Sequence, residues 1–121
     1  MLVRRVRGRP EGVDLSFRCD GPEVRRELDI RIVPSRSRRL VVFRTRALSE
    51  QQRQAQALLD PGTARGEEQI EMCGWCDRFQ VGGEWVEVEE AAARLRLFGR
   101  SELPRISHAI CPRCSAELRA A

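Results

Sequence analysis

Apolar and polar residues alternate along the first third of this chain. Val13–Cys19 places Val13, Leu15 and Phe17 on one side, the two-residue repeat of a half-buried strand. Asp20-Gly21-Pro22 interrupts it as a turn. Val24–Val33 then sets Leu28, Ile30 and Ile32 against Glu27, Asp29 and Arg31, and after Pro34-Ser35-Arg36-Ser37 a third strand is expected over Leu40–Arg46. Alternating runs joined by short turns predict an antiparallel meander with one apolar and one wet face. Ahead of it, Met1–Gly8 reads as the last turns of a helix, ended by Gly8 and Arg9-Pro10.

At Ser49 the composition turns helical. Ser49 is read as an N-cap, Glu50–Leu59 as a helix, and Asp60-Pro61-Gly62 as its end. Thr63–Glu68 follows as a polar linker. Ile70–Cys76 reads as a short strand, and Phe79–Val88 as a hairpin turning at Gly82-Gly83. Glu89–Phe98 reads as a helix with Ala92 and Leu95 inward, joined by Ala91 and Phe98, and closed by Gly99. Leu103–Ile110 leads on to a short C-terminal helix at Ser115–Ala121. The division implied is a meander over residues 1–48, a helix and linker over 49–66, and a compact module over 67–121. The fold class expected is α+β. Three strands alone do not bury an apolar face. Phe17, Leu28, Ile30 and Val42 need a cover that the polar helix supplies poorly, so self-association or a protein partner is expected at the incomplete sheet.

Composition narrows the picture. Of 121 residues, 41% are hydrophobic but only 5% aromatic, which predicts a folded chain with a small core. A bound metal would stabilise such a body. No apolar run reaches the length of about 18 residues that a spanning helix needs. Met1-Leu2-Val3-Arg4-Arg5 lacks the apolar stretch of a secretory signal, so a reducing cytoplasm is expected. All 22 basic residues are Arg, read mainly as genome composition. Residues 1–60 hold 14 Arg against eight acids, net +6, and residues 61–121 hold eight Arg against ten acids, net −2.

The chemistry lies in two pairs of cysteines. Cys73-Gly74-Trp75-Cys76 and Cys111-Pro112-Arg113-Cys114 are both C-x-x-C, with 34 residues between them. One such hook is weak evidence, but two can place four thiolates around one Zn²⁺ at about 2.3 Å each. Cys73, Cys76, Cys111 and Cys114 are therefore the expected metal ligands, with zinc favoured over iron. Four protein ligands leave no open position, which makes the zinc structural. His108, three residues before Cys111, is either a substitute ligand or a packing residue near the loop, and the four cysteines favour packing. Trp75 and Trp85 could stack on bases or peptide groups, but a Trp beside a zinc hook is more often the core of a small module. Cys19 is the odd cysteine, read as a strand residue rather than a redox sensor. Arg36, Arg38, Arg39, Arg44 and Arg46 could meet phosphates, but Glu27 and Asp29 can pair with them and no aromatics interleave. Glu87, Glu89 and Glu90 lack any catalytic companion, so no enzyme is expected.

The segments Cys73-Gly-Trp-Cys76, Trp85-Val-Glu-Val-Glu-Glu90 and Leu103-Pro-Arg-Ile-Ser-His-Ala-Ile-Cys-Pro-Arg-Cys114 resemble the Cys-rich tail of bacterial PAS-containing sensor proteins. The resemblance covers residues 69–118, departs from that pattern at Ala109 where Gly is usual, and carries over the same four cysteines as ligands. More loosely, Phe17-Arg-Cys-Asp-Gly-Pro22 and its flanking strands resemble the last three strands of a PAS sheet, with Met1–Gly8 as the end of the preceding helix. The first strands and ligand-wrapping helices of such a fold are missing. The resemblance implies a partial PAS-like sheet followed by a zinc-ribbon-like module, acting by protein contacts in signal transduction. Nucleic-acid binding by the Arg-rich half and a thiol redox switch are the alternatives.

Overall fold

The computed structural model describes residues 2–37 and 39–121. Met1 of the expected helix and Arg38 of the arginine cluster lie outside the described residues. The order of elements is α1 (Leu2–Arg7), β1 (Val13–Arg18), β2 (Val24–Pro34), β3 (Val41–Gln52), one 3-10 turn (Ala57–Leu59), β4 (Arg65–Cys73), β5 (Phe79–Val81), β6 (Glu84–Val86), α2 (Val88–Arg94), β7 (Leu103–Ala109) and α3 (Pro112–Ala120). The chain is α+β, with an antiparallel sheet β1-β2-β3 and a mixed sheet β6-β5-β4-β7.

The first sheet is the meander that the alternation predicts. Leu15 pairs with Ile30 and Phe17 with Leu28, and residues directly opposite share a face. On β3, Phe43 lies opposite Ile32 and Thr45 opposite Ile30, whereas Val42 lies opposite Val33 on the other face. Phe43 and Val41, not Val42, therefore extend the apolar side. Part of its cover comes from the two ends of the chain. Val6 of α1 is fully buried with Val13 and Ile32, and Leu15, Ile30, Val41 and Ala121 close around them. Arg5 fixes that arrangement by donating from Nη1 to the carbonyls of Leu118 at 3.2 Å, Arg119, and Ala121 at 3.4 Å. A cation at the C-terminus of α3 is also favoured by the helix dipole.

The helix expected over Glu50–Leu59 is not formed. β3 runs on to Gln52, with Glu50 opposite Arg26 and Gln52 opposite Val24. Arg53 then donates its N–H to the Glu23 carbonyl at 3.0 Å, and Gln56 to Pro22 at 2.9 Å. Glu, Gln and Ala favour helix by only tenths of a kcal/mol each. The backbone groups of Val24–Glu27 supply a ready-made partner strand, and long-range pairing wins. Ser49 is thus a strand residue opposite Glu27, while Ala47 faces Leu28, leaving Leu48 as a bulge. Only Ala57–Leu59 is helical, and Leu58 is buried against Ile70, Met72, Phe79, Val86, Val88 and Leu103.

The second sheet holds that larger core. Its hairpin turns where expected, with Gly82 and Gly83 at φ 57° and 86°, the left-handed pair of a type I′ turn. α2 stops four residues earlier than expected. Arg96 takes φ 53°, the Leu97 N–H donates to Ala92 O at 3.0 Å, and the Arg96 N–H donates to Ala93 O at 3.2 Å. These two bonds close the helix in a Schellman motif. The chain reverses before another helical turn forms, so Leu95 and Phe98 face outward and Leu97 is buried in their place.

Candidate metal centre

β4 and β7 lie side by side and parallel, with Met72 opposite His108 and Cys73 opposite Ala109. Parallel neighbours finish at the same end of a sheet, so the hooks that follow them converge. The Gly74 N–H donates to the Ala109 carbonyl at 2.8 Å, tying the first hook to the strand leading into the second. The sulfurs of Cys73, Cys76, Cys111 and Cys114 all lie within 4.8 Å of one another, and all four residues are buried. Cys76 Sγ and Cys111 Sγ are 3.8 Å apart. A tetrahedral ion with bonds of about 2.3 Å has a sulfur–sulfur edge of about 3.8 Å, whereas a disulfide would need about 2.05 Å. No disulfide is formed. The donor set fits a soft, tetrahedral dication held entirely by protein.

Each hook is shaped locally. In the first, the Cys73 N–H donates to Arg78 O at 2.8 Å and the Asp77 N–H to Cys73 O at 3.0 Å. Asp77 sits at φ 61°, a left-handed conformation that Asp tolerates better than most residues. In the second, Cys111 is the N-cap of α3 and Pro112 opens the helix, the position where a missing N–H costs nothing. Backbone N–H groups point at sulfur: Trp75 and Cys111 donate to Cys73 Sγ at 3.5 and 3.4 Å, and Cys114 to Cys111 Sγ at 3.5 Å. Burial pushes the Cys73 thiol up, but the N–H donors of Cys111, Cys76 and Trp75 outweigh it and bring it down to about 7. Cys114 is pushed up by burial and by the neighbouring sulfurs, and Cys76 by burial and by Cys73. Three or four thiolates cannot share so small a volume without a cation. With one, the amide donors already aimed at sulfur spread its charge further.

The remaining sequence candidates fall outside the sulfur cluster. His108 is exposed on β7, and Cys19 is exposed after β1. Trp75 and Trp85 are half-buried and pack against the cysteines. Of the arginine cluster, Arg36, Arg39, Arg44 and Arg46 are exposed, and Arg46 meets Asp29 at 3.7 Å. Glu87 binds Arg18 and Arg78, Glu89 binds Arg53, and Glu90 binds Arg94.

A buried interlock between the two sheets gave no sequence signal. Arg18 donates from Nη1 to both carboxylate oxygens of Glu87 at 2.7 Å, and also binds Asp20. The Asp20 side chain is 1% exposed and takes a second guanidinium from Arg53. Its N–H donates to Asp77 Oδ2 at 2.8 Å. Trp75 joins the same seam: its carbonyl accepts the Arg18 N–H at 2.9 Å, its Nε1 donates to Ser16 O at 2.8 Å, and its ring lies 5.4 Å from that of Phe17. The first hook is therefore bonded directly to β1.

The chain matches no protein-family model, no curated protein and no solved structure with which it was compared.

Proposed function

We propose that this chain is a non-enzymatic interaction module organised by a structural zinc ion, acting in a bacterial signal-transduction protein of the PAS-like kind. The observation that carries the metal reading is the meeting of four buried sulfurs from two hooks far apart in sequence. When bound, zinc supplies a cross-link between β4 and β7. Cys73, Cys76, Cys111 and Cys114 would hold it, and the amides of Trp75, Cys111 and Cys114 would orient three of the N–H···S contacts. With no fifth donor site, the ion has no place for substrate.

The regulatory part of the reading rests on the resemblance of residues 69–118 to PAS-sensor tails and on the absence of an open metal position. The metal part of the reading is tested by metal analysis of the purified chain with chelator titration. One zinc per chain, whose removal loosens residues 70–118, supports it. A metal-free chain with unchanged melting sinks it.

A further inference from the structure

The two edges of the first sheet differ. The C-terminal half of β1 is met by the first hook, through Trp75 at Ser16 and Arg18 and through Asp77 at Asp20 just beyond it. Among the described residues β3 has no strand neighbour beyond β2. Eleven of its twelve residues are exposed, with Phe43 at 54%. A long bare edge presents unpaired N–H and C=O groups to any extended segment.

Register identifies what such a segment must carry. Arg44 lies directly opposite Arg31, and Arg31 is already bound to Asp14 at 2.7 Å. Asp29, opposite Arg46, meets it at 3.7 Å. No carboxylate lies within ion-pair distance of Arg44 among the described residues. Phe43, Thr45 and Ala47 point to the other face, alongside Ile32, Ile30 and Leu28. The edge from Val41 to Ala47 thus has Arg44 without a carboxylate and Arg46 only loosely paired on one side, and Phe43 and Ala47 as apolar groups beside Thr45 on the other.

A second copy does not meet that demand. Antiparallel pairing of Val41–Ala47 with itself sets Arg44 against Arg44, Arg46 or Val42; the first two oppose like charges, which is destabilising, and none brings a carboxylate to Arg44. Sliding the copies to bring Glu50 toward Arg44 fails too. The bulge at Leu48 turns Glu50 onto the opposite face, where it binds Arg26 at 3.0 Å.

We propose that the β3 edge over Val41–Ala47 docks an extended acidic segment of a partner protein, with alternating carboxylate and apolar residues, by strand addition. This names the partner class of the interaction module proposed above and rests on that reading only for action by protein contact.

The test uses the zinc-loaded full chain, with metal content confirmed by mass. A ten-residue synthetic peptide alternating Glu with Val is titrated while amide resonances are followed, and a peptide alternating Lys with Val serves as its charge reversal. The acidic peptide should shift Val41–Ala47 and bind at least about fivefold tighter than the basic one, since its carboxylates would pair across the strands with Arg44 and Arg46 where the basic peptide would set like charges against them. Arg44→Glu, exposed and remote from the sulfurs, should narrow or invert that ratio while leaving the metal in place. Equal binding of both peptides, binding of neither, or a self-association that moves the same amides would overturn the proposal, as would an oligonucleotide occupying that edge in the peptide's stead. Failure of peptide binding in a chain that holds its zinc removes the docking proposal alone. Failure to hold zinc removes the metal reading instead.

Discussion

Replacing Arg18 by Met tests whether the two sheets are held together by the buried ionic seam. Met keeps most of the apolar stem and removes the guanidinium. The Asp20 side chain, 1% exposed, then keeps Arg53 and the Arg26 N–H at 3.3 Å, and that of Glu87, 28% exposed, keeps Arg78 at 3.1 Å. Removing one partner of a buried pair costs about 3–5 kcal/mol. The surviving arginines place this variant at the low end, about 3 kcal/mol. An unfolding entropy of about 2.1 cal/mol/K per residue converts this to a fall in melting temperature of about 12 °C for a chain of this length. The control is Arg26→Met, whose pair with Glu50 is 42% and 57% exposed. An exposed pair contributes about 0–1 kcal/mol, so its melting point should fall by no more than about 4 °C. Both are measured by far-UV circular dichroism on the zinc-loaded chain, with exchange of the Arg18 and Asp20 amides as the local readout. If Arg18→Met melts within error of Arg26→Met, the seam does not hold the sheets together and the argument from burial fails.

Three further outcomes follow from the same geometry. Leu58→Ala should cost about 2–5 kcal/mol, because Leu58 is 2% exposed in the second core; chemical denaturation checks it, and a loss under about 1 kcal/mol would mean that the turn at 57–59 is not part of that core. Cys114→Ser removes one donor of four and should lower zinc affinity by orders of magnitude, read by competition with a chromogenic chelator; affinity equal to the parent would mean that the sulfurs do not act together. Without metal, the raised thiols of Cys76 and Cys114 contribute stability below their unfolded value of 9.0 that is lost as pH climbs through their folded values. Cys73, lowered to about 7, acts oppositely: its contribution is present above 9.0 and lost as pH falls through about 7. Between pH 8 and 10 Cys73 and Cys114 act in opposite senses and the raised Cys76 tips the balance, so the metal-free chain should melt lower at pH 10 than at pH 8, while the zinc-loaded chain, with its sulfurs already committed, should not.

How much of this was readable from the residues depends on the range of the interaction. Val13, Leu15 and Phe17 announce β1 because alternation is local, and Gly82-Gly83 announces its turn because only a left-handed pair fits there. The four cysteines are equally legible, since C-x-x-C fixes two donors on one loop. What brings the hooks together is not local. The parallel pairing of β4 with β7, Cys73 opposite Ala109, places both loops at one end of a sheet, and no spacing rule states it. The segment Glu50–Leu59 misleads for the same reason: its weak helical preference is overridden by Val24–Glu27, some 25 residues earlier. Leu95 and Phe98 mislead because the helix ends at Arg94 through the left-handed Arg96, which composition does not reveal. Arg18, Asp20, Arg53 and Glu87 are ordinary charges in the sequence and become a buried network only when the sheets meet.

Native mass spectrometry of the purified chain, with and without a chelator, tests the central claim most directly. One zinc per chain is expected, removed by chelation together with the narrow charge-state distribution of a folded protein. A chain that carries no metal and keeps that folded distribution would overturn the zinc assignment, and a mass lower by two or four hydrogens would show disulfides in place of a metal.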